Sequence, residues 1–164
     1  VLFTYTMTVL MSFSRSRTRR FLLQSLYARV IAGVSASKEA EFFEDADRID
    51  DAYAASLEKI IIEQEGKLLA VIYEFAPKYD IKTLPNINAL ILLIALAELL
   101  VLRPDDVPPR VSVDEAIELA KRYSDDAAKK LINGVLNVIL TKQNDIIASW
   151  SKREPLKYSF FQSL

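Results

Sequence analysis

The chain has no cysteine and no histidine among its 164 residues. That excludes disulfides and any metal site built from thiolate or imidazole, and it removes the commonest general base, so a hydrolase or zinc enzyme is not expected. Glycine and proline are scarce, at three and six, and apolar residues recur at helical rather than alternating spacing, which together point to an all-α fold. An excess of charge is missing too: 21 basic and 22 acidic side chains leave a formal net charge of −1. Indiscriminate binding to polyanions is therefore not expected, and the distribution of the charges carries the information. No apolar run is long enough to span a bilayer. Residues 1–11, VLFTYTMTVLM, reach about half the needed length and precede their basic residues instead of following them, unlike a signal peptide. Ile87 to Leu102 has only Asn88 and Glu98 as polar side chains and reads as the buried central helix of a bundle.

What is present supports one domain with a single core, since about half of the residues are apolar. Residues 1–14 are expected to be a loosely ordered extension, with the functional N-terminus near Met11. Residues 15–150 form the domain, and 151–164 a tail whose Tyr158, Phe160 and Phe161 either cover an apolar groove or belong to a loose end. The segment RSRTRRFLLQSLYAR, from Arg15 to Arg29, has no carboxylate and places Arg15, Arg17, Arg19 and Arg20 in the first turns of a helix. Cations there oppose the helix dipole. They indicate either a polyphosphate-binding arm or a solvated arginine arm. Lys38 to Asp51 is acidic and is expected to face water. A long helix follows from about Asp50 to Ala76, bent near Gly66 and ended by Pro77. Glu98 should lie at the edge of its apolar helix or pair with a cation such as Arg103 or Arg110, because an unpartnered buried carboxylate is costly.

Ser112 to Leu140, SVDEAIELAKRYSDDAAKKLINGVLNVIL, predicts two consecutive helices. Ser112 and Glu115 have the spacing of a reciprocal capping box. Val113, Ala116, Ile117, Ala120 and Tyr123 share the buried face of the first helix. Asp125 and Asp126 suit the N-terminus of the second, which is expected to run to about Trp150. Within it, Asn133-Gly134 is a weak helix former, and close approach by a neighbouring backbone would explain Gly134.

Four blocks in order, QSLYA behind the arginines, IALAELL, PPRVSVDEAIELAKRY and KKLINGVL, resemble the NusB family of transcription antitermination factors over Arg15 to Leu140. The resemblance implies a single-domain all-α bundle of about seven helices, two packed three-helix subdomains, without catalysis or cofactor and located in the cytoplasm away from membranes. It also implies partners: single-stranded boxA-like RNA, ribosomal protein S10 (NusE) and the RNA polymerase antitermination complex of ribosomal RNA transcription. A homodimer is compatible with the long apolar helices.

Residue by residue, Arg15, Arg17 and Arg19 match the family's arginine motif, with Arg20 beside them. Gln24 and Tyr27 match its polar and aromatic positions. Arginine forks suit phosphates, and a tyrosine ring offers a stacking platform; Tyr27 is equally a core aromatic with its hydroxyl at the edge. Lys129 and Lys130 either extend the phosphate track or are ordinary solvated lysines. Glu98 and Arg103 fall in the partner-protein region, while Ser112, Glu115, Asn133 and Gly134 are expected to be architectural. The chain departs from the family at Leu93 (usually Arg), Ala97 (usually aromatic), Leu131 (often aromatic) and Asp114 (usually Asn). Two alternatives are a diverged interaction module without RNA binding and a stand-alone relative of the N-terminal domain of ribosomal RNA cytosine methyltransferases. The chain itself has no Gly-rich methyl-donor loop and no Cys nucleophile to be that enzyme.

Overall fold

A computed structural model describes residues 14–33 and 48–161, and the fold is all-helical. Residues 1–13, with the suggested start at Met11, and residues 38–47 of the acidic stretch lie outside the described residues. Helix α1 spans Arg15–Ala32, α2 Asp51–Phe75 and α3 Asn86–Leu96, which continues as a π-helix over Ala97–Leu102. Helix α4 spans Pro109–Tyr123, α5 Asp126–Thr141 and α6 Gln143–Ala148, followed by a 3-10 turn at Trp150–Lys152.

Short polar side chains set the starts of three helices. The Ser14 hydroxyl accepts from the Arg17 N–H at 3.2 Å, Asp50 from the Tyr53 N–H at 3.0 Å and Asp125 from the Ala128 N–H at 2.7 Å, each satisfying a donor that the helix leaves unpaired. Gly33 ends α1 at φ 66°, a left-handed conformation that glycine adopts without strain. The first two starts are stitched together: Thr18 in α1 accepts from the backbone N–H of Asp50, the α2 cap, at 3.0 Å.

The capping box expected at Ser112 is not formed. Helix α4 begins three residues earlier, with Pro109 at its first position, where the missing N–H and fixed φ of proline are favourable. Ser112 is thereby placed inside the helix, buried and facing the core.

Helix α3 is central and packs on α1, α2, α4 and α5. Every residue from Ala89 to Ala97 is buried, which accounts for the uninterrupted apolar run in the sequence. Leu22, Leu23 and Leu26 of α1, Leu57, Ile61 and Leu68 of α2, and Ile132, Leu136 and Ile139 of α5 close around it.

Helix α2 leaves helical geometry at Gln64 (φ −117°, ψ 15°), two residues before the glycine expected to bend it. The reason lies in the tail. The Leu156 N–H donates to the Gly66 carbonyl at 2.9 Å, and a Cβ on Gly66 would stand 2.7 Å from the Pro155 Cβ. The Trp150 indole donates to Gln64 at 2.8 Å, and Glu65 accepts from the Ser159 hydroxyl at 2.5 Å and the Phe160 N–H at 2.6 Å. Phe161 is buried in the core, so the tail covers an apolar surface.

Gly66, not Gly134, is the glycine of close approach. Gly134 is exposed, and a Cβ built there meets nothing within 4 Å. Helix α5 also stops earlier than expected, because Lys142 (φ −106°, ψ 8°) separates it from α6.

Candidate nucleic-acid interface

Helix α1 has no carboxylate, and its residues divide by facing. Thr18, Arg19, Leu22, Leu23, Ser25 and Leu26 are buried, whereas Ser16, Gln24 and Tyr27 are exposed and Arg20 is half-buried. Positions 16, 20, 24 and 27 follow one another at four, four and three residues, so they form one outward stripe.

The four arginines of the first turns are not equivalent. Arg15 lies 3.7 Å from the Tyr53 ring centroid and bonds Asp106 at 3.2 Å, with Asp50 at 3.9 Å. Arg17 is half-buried. Arg20 borders an open groove of about 450 Å³ between α1 and α4, lined also by Ser16, Glu115, Glu118, Lys121 and Arg122. At one edge of this surface Gln24 donates to the Tyr123 hydroxyl at 2.8 Å, tying α1 to α4.

Arg19 points the other way. Its Nε and Nη2 donate to the two carboxylate oxygens of Glu98 at 2.9 and 2.7 Å, and Glu115 lies 3.4 Å from its Nη1. The expectation that Arg19 faces a ligand is corrected by this burial: the guanidinium is consumed by a carboxylate that could not otherwise be sequestered from water. Glu98 likewise neither lies at a surface edge nor pairs with Arg103 or Arg110. It accepts in addition from the Tyr53 hydroxyl at 2.6 Å and the Ser112 hydroxyl at 2.5 Å. Glu98 is only 1% exposed, and both of its carboxylate oxygens are engaged by side chains of its own chain.

Burial by itself would raise the Glu98 carboxyl, but the hydrogen bonds and charge of Arg19, with the Ser112 and Tyr53 hydroxyls, outweigh it and hold the group below the usual carboxylate range. Arg19 is moved up for the reciprocal reason: burial would lower it, and Glu98 overrides burial. Tyr53 is pushed up by burial, then by its bond to Glu98 and that carboxylate's charge. The cluster is a charged pair with its remaining lone pairs satisfied by two hydroxyls, drawing α1, α2 and α4 onto the π-helix.

The other expected site residues are dispersed. Lys129 is 3.5 Å from Asp126 one turn back, and Lys130 is exposed; both are on α5, which packs chiefly against α4, α3 and α2. Arg103 is exposed and closes the π-helix in a left-handed conformation (φ 45°), its N–H donating to the Glu98 carbonyl at 2.9 Å. Asn133 is exposed and accepts from Asn137 at 2.6 Å, and Arg110 bonds Asn137 and Asp114 at 2.8 and 3.2 Å.

Sequence reasoning placed Tyr53 and Tyr123 on buried faces but missed their bonds to Glu98 and Gln24, and it missed the inward role of Ser112. A signal for Arg19 existed, because it precedes Leu22, Leu23 and Leu26 by three, four and seven residues, the spacing of the buried stripe.

Comparison with known proteins matches the NusB family model over residues 16–141. The transcription antitermination protein NusB of Clostridium perfringens is 36% identical over 131 residues, covering 77% of this chain and 96% of that protein. That of Bacillus velezensis is 33% identical over 127 residues, covering 77% and 95%. Against the longer protein of the same name from Chloroherpeton thalassium, identity is 36% over 77% of this chain, which spans 61% of that relative's length. The solved structure of T. maritima NusB superposes with a TM-score of 0.68 at 25% identity, covering 81% of this chain and 94% of that one.

Proposed function

The chain belongs to the NusB family, and from that premise we propose that it is an RNA-binding transcription antitermination factor. In this reading it holds single-stranded, boxA-like RNA together with ribosomal protein S10 in an RNA polymerase complex, in the transcription of ribosomal RNA. The observation that supports it is the outward stripe of a carboxylate-free helix, where Arg20, Gln24 and Tyr27 are presented in line. A cation, an amide and an aromatic ring in that order can neutralise phosphate, hydrogen-bond a base edge and stack on an unpaired base. Tyr27, 41% exposed, offers its ring to solvent. Arg17 and Arg15 flank the stripe, and Lys129 and Lys130 would serve as outlying phosphate contacts. Arg103, at the mouth of the loop after the π-helix, is the residue through which we place the S10 contact.

Fluorescence anisotropy with a labelled single-stranded boxA-like oligonucleotide tests this. Affinity should fall with salt as phosphate contacts release counterions, and Tyr27→Ala should weaken it through lost stacking, by about 1–3 kcal/mol. Equal affinity for a scrambled oligonucleotide of the same length, with Tyr27→Ala unaffected, would sink the reading. Arg103→Ala should reduce co-purification with S10 while leaving binding of RNA alone intact.

A further inference from the structure

We propose that the groove between α1 and α4 is a phosphate-binding subsite for the bound strand, anchored by Arg20 and completed from α4 by Arg122. The inference rests on the RNA-binding reading above and extends it to a second helix.

Arg20 combines a buried, unpartnered guanidinium nitrogen, its Nε, with the lack of any carboxylate partner among the described residues. Its neighbours differ in their ion pairs: Arg19 is bound by Glu98 and Glu115, Arg29 by Glu58 at 2.7 Å, and Arg15 by Asp106, although one Arg15 nitrogen, Nη1, is also buried without a partner. A guanidinium donor at the floor of an open groove is left to water or to a ligand for its acceptor, and an anion is the stronger partner.

The groove that Arg20 borders is fitted to an anion despite containing two carboxylates. Glu115 is turned toward Arg19, and Glu118 is held by Lys121 at 2.5 Å. Arg122, also on the groove wall, contacts the Tyr123 ring at 5.9 Å and pairs with no carboxylate among the described residues. Two uncommitted guanidinium groups thus face one open space from adjacent helices. A phosphodiester oxygen pair matches the fork of each. The volume of about 450 Å³ exceeds the needs of a lone ion and suits a nucleotide unit. Tyr27 stands seven residues beyond Arg20, on the same stripe, and the Gln24–Tyr123 bond fixes the spacing of the two helices at that edge.

The test follows the Arg20 Nε–Hε resonance of the full chain during titration with single-stranded RNA and, separately, with inorganic phosphate, alongside RNA affinities of variants over a salt series. With RNA, the resonance should shift saturably. Arg20→Gln and Arg122→Gln should each weaken RNA binding at least about fivefold and flatten the log K against log salt slope by about 0.7, the expectation for one single-strand phosphate. Their combination should weaken it by less than the product, because both act on the same group. Arg20→Lys, which keeps the charge and loses the fork, should recover part of the affinity, and Lys152→Gln, removing an exposed charge elsewhere, should change little. RNA that binds the native chain with the resonance unmoved and with both Gln variants matching Lys152→Gln would overturn the subsite while leaving the antitermination reading standing. A saturable response to phosphate without any RNA binding would overturn the RNA-binding reading and, with it, the assignment of the groove to the bound strand, leaving an anion site alone.

Discussion

Arg19 and Glu98, 79 residues apart, are joined by two parallel hydrogen bonds of 2.9 and 2.7 Å with side chains only 4% and 1% exposed. An arginine of the basic motif is therefore a structural member of the core, and its mutational signature should differ from that of a ligand contact.

Replacing Arg19 by Met strands an ionised carboxylate in the interior and should destabilise the protein by about 3–5 kcal/mol. Urea unfolding would register this as a lower midpoint at unchanged slope. RNA affinity, corrected for the folded fraction, should stay near that of the native chain. A variant with the native midpoint and weakened RNA binding would contradict the assignment.

Acid should act through Glu98. Its carboxyl is held below the ordinary range, against the effect of burial, by Arg19 and the two hydroxyls. Its contribution to stability is complete above the unfolded value of about 4.3 and is lost as pH falls through the folded value. The stability advantage of the native chain over Glu98→Gln should shrink as pH is lowered from 5 to 3. A constant difference across that range would refute this.

Glu65 should behave oppositely. Burial raises its carboxyl, and bonds from Ser159 and the Phe160 N–H offset only part of the rise. A raised folded value means stability that is present at low pH and lost as pH climbs through that value. Glu65→Gln removes the buried charge while its amide oxygen can accept from the Phe160 N–H and its NH2 can donate to the Ser159 hydroxyl, reversing that bond. Its thermal midpoint relative to the native chain should improve from pH 5 to pH 8, and a growing deficit would exclude this account.

The two helical glycines should respond with opposite sign. Gly134→Ala adds a methyl to open space on an exposed helix and should stabilise by about 0.5–1 kcal/mol. Gly66→Ala forces a Cβ to within 2.7 Å of Pro155 and should destabilise by about 1–3 kcal/mol, since the tail must shift. Thermal unfolding of both would decide, and the same direction of change in each would be inconsistent with this packing.

The fold was largely legible in the sequence because apolar periodicity depends on local spacing. The run from Ile87 to Leu102 showed itself as a central helix, and Pro77 as a terminator. The interface was less legible, since the sequence shows that arginines cluster but not which way each points. Arg19 and Arg20 are neighbours in the chain, yet one is in the core and the other on a groove. At Ser112 a good capping pattern lost to a stronger local start, proline at the first helical position. At Gly134 the weak helix former drew attention, whereas the glycine under steric pressure was Gly66, whose constraint comes from residues 89 and 90 positions away. Contacts of that range leave no local trace.

The buried carboxylate also implies an order of assembly. Glu98 gathers Ser112 from 14 residues away, Tyr53 from 45 and Arg19 from 79. Closing a longer loop has the larger entropic barrier, so the hydroxyl of α4 should reach the carboxylate first and the guanidinium of α1 last. The helix that carries the outward stripe of Arg20, Gln24 and Tyr27 would then be fastened in the final step, and slow folding or easy local opening would be felt first as loss of that surface.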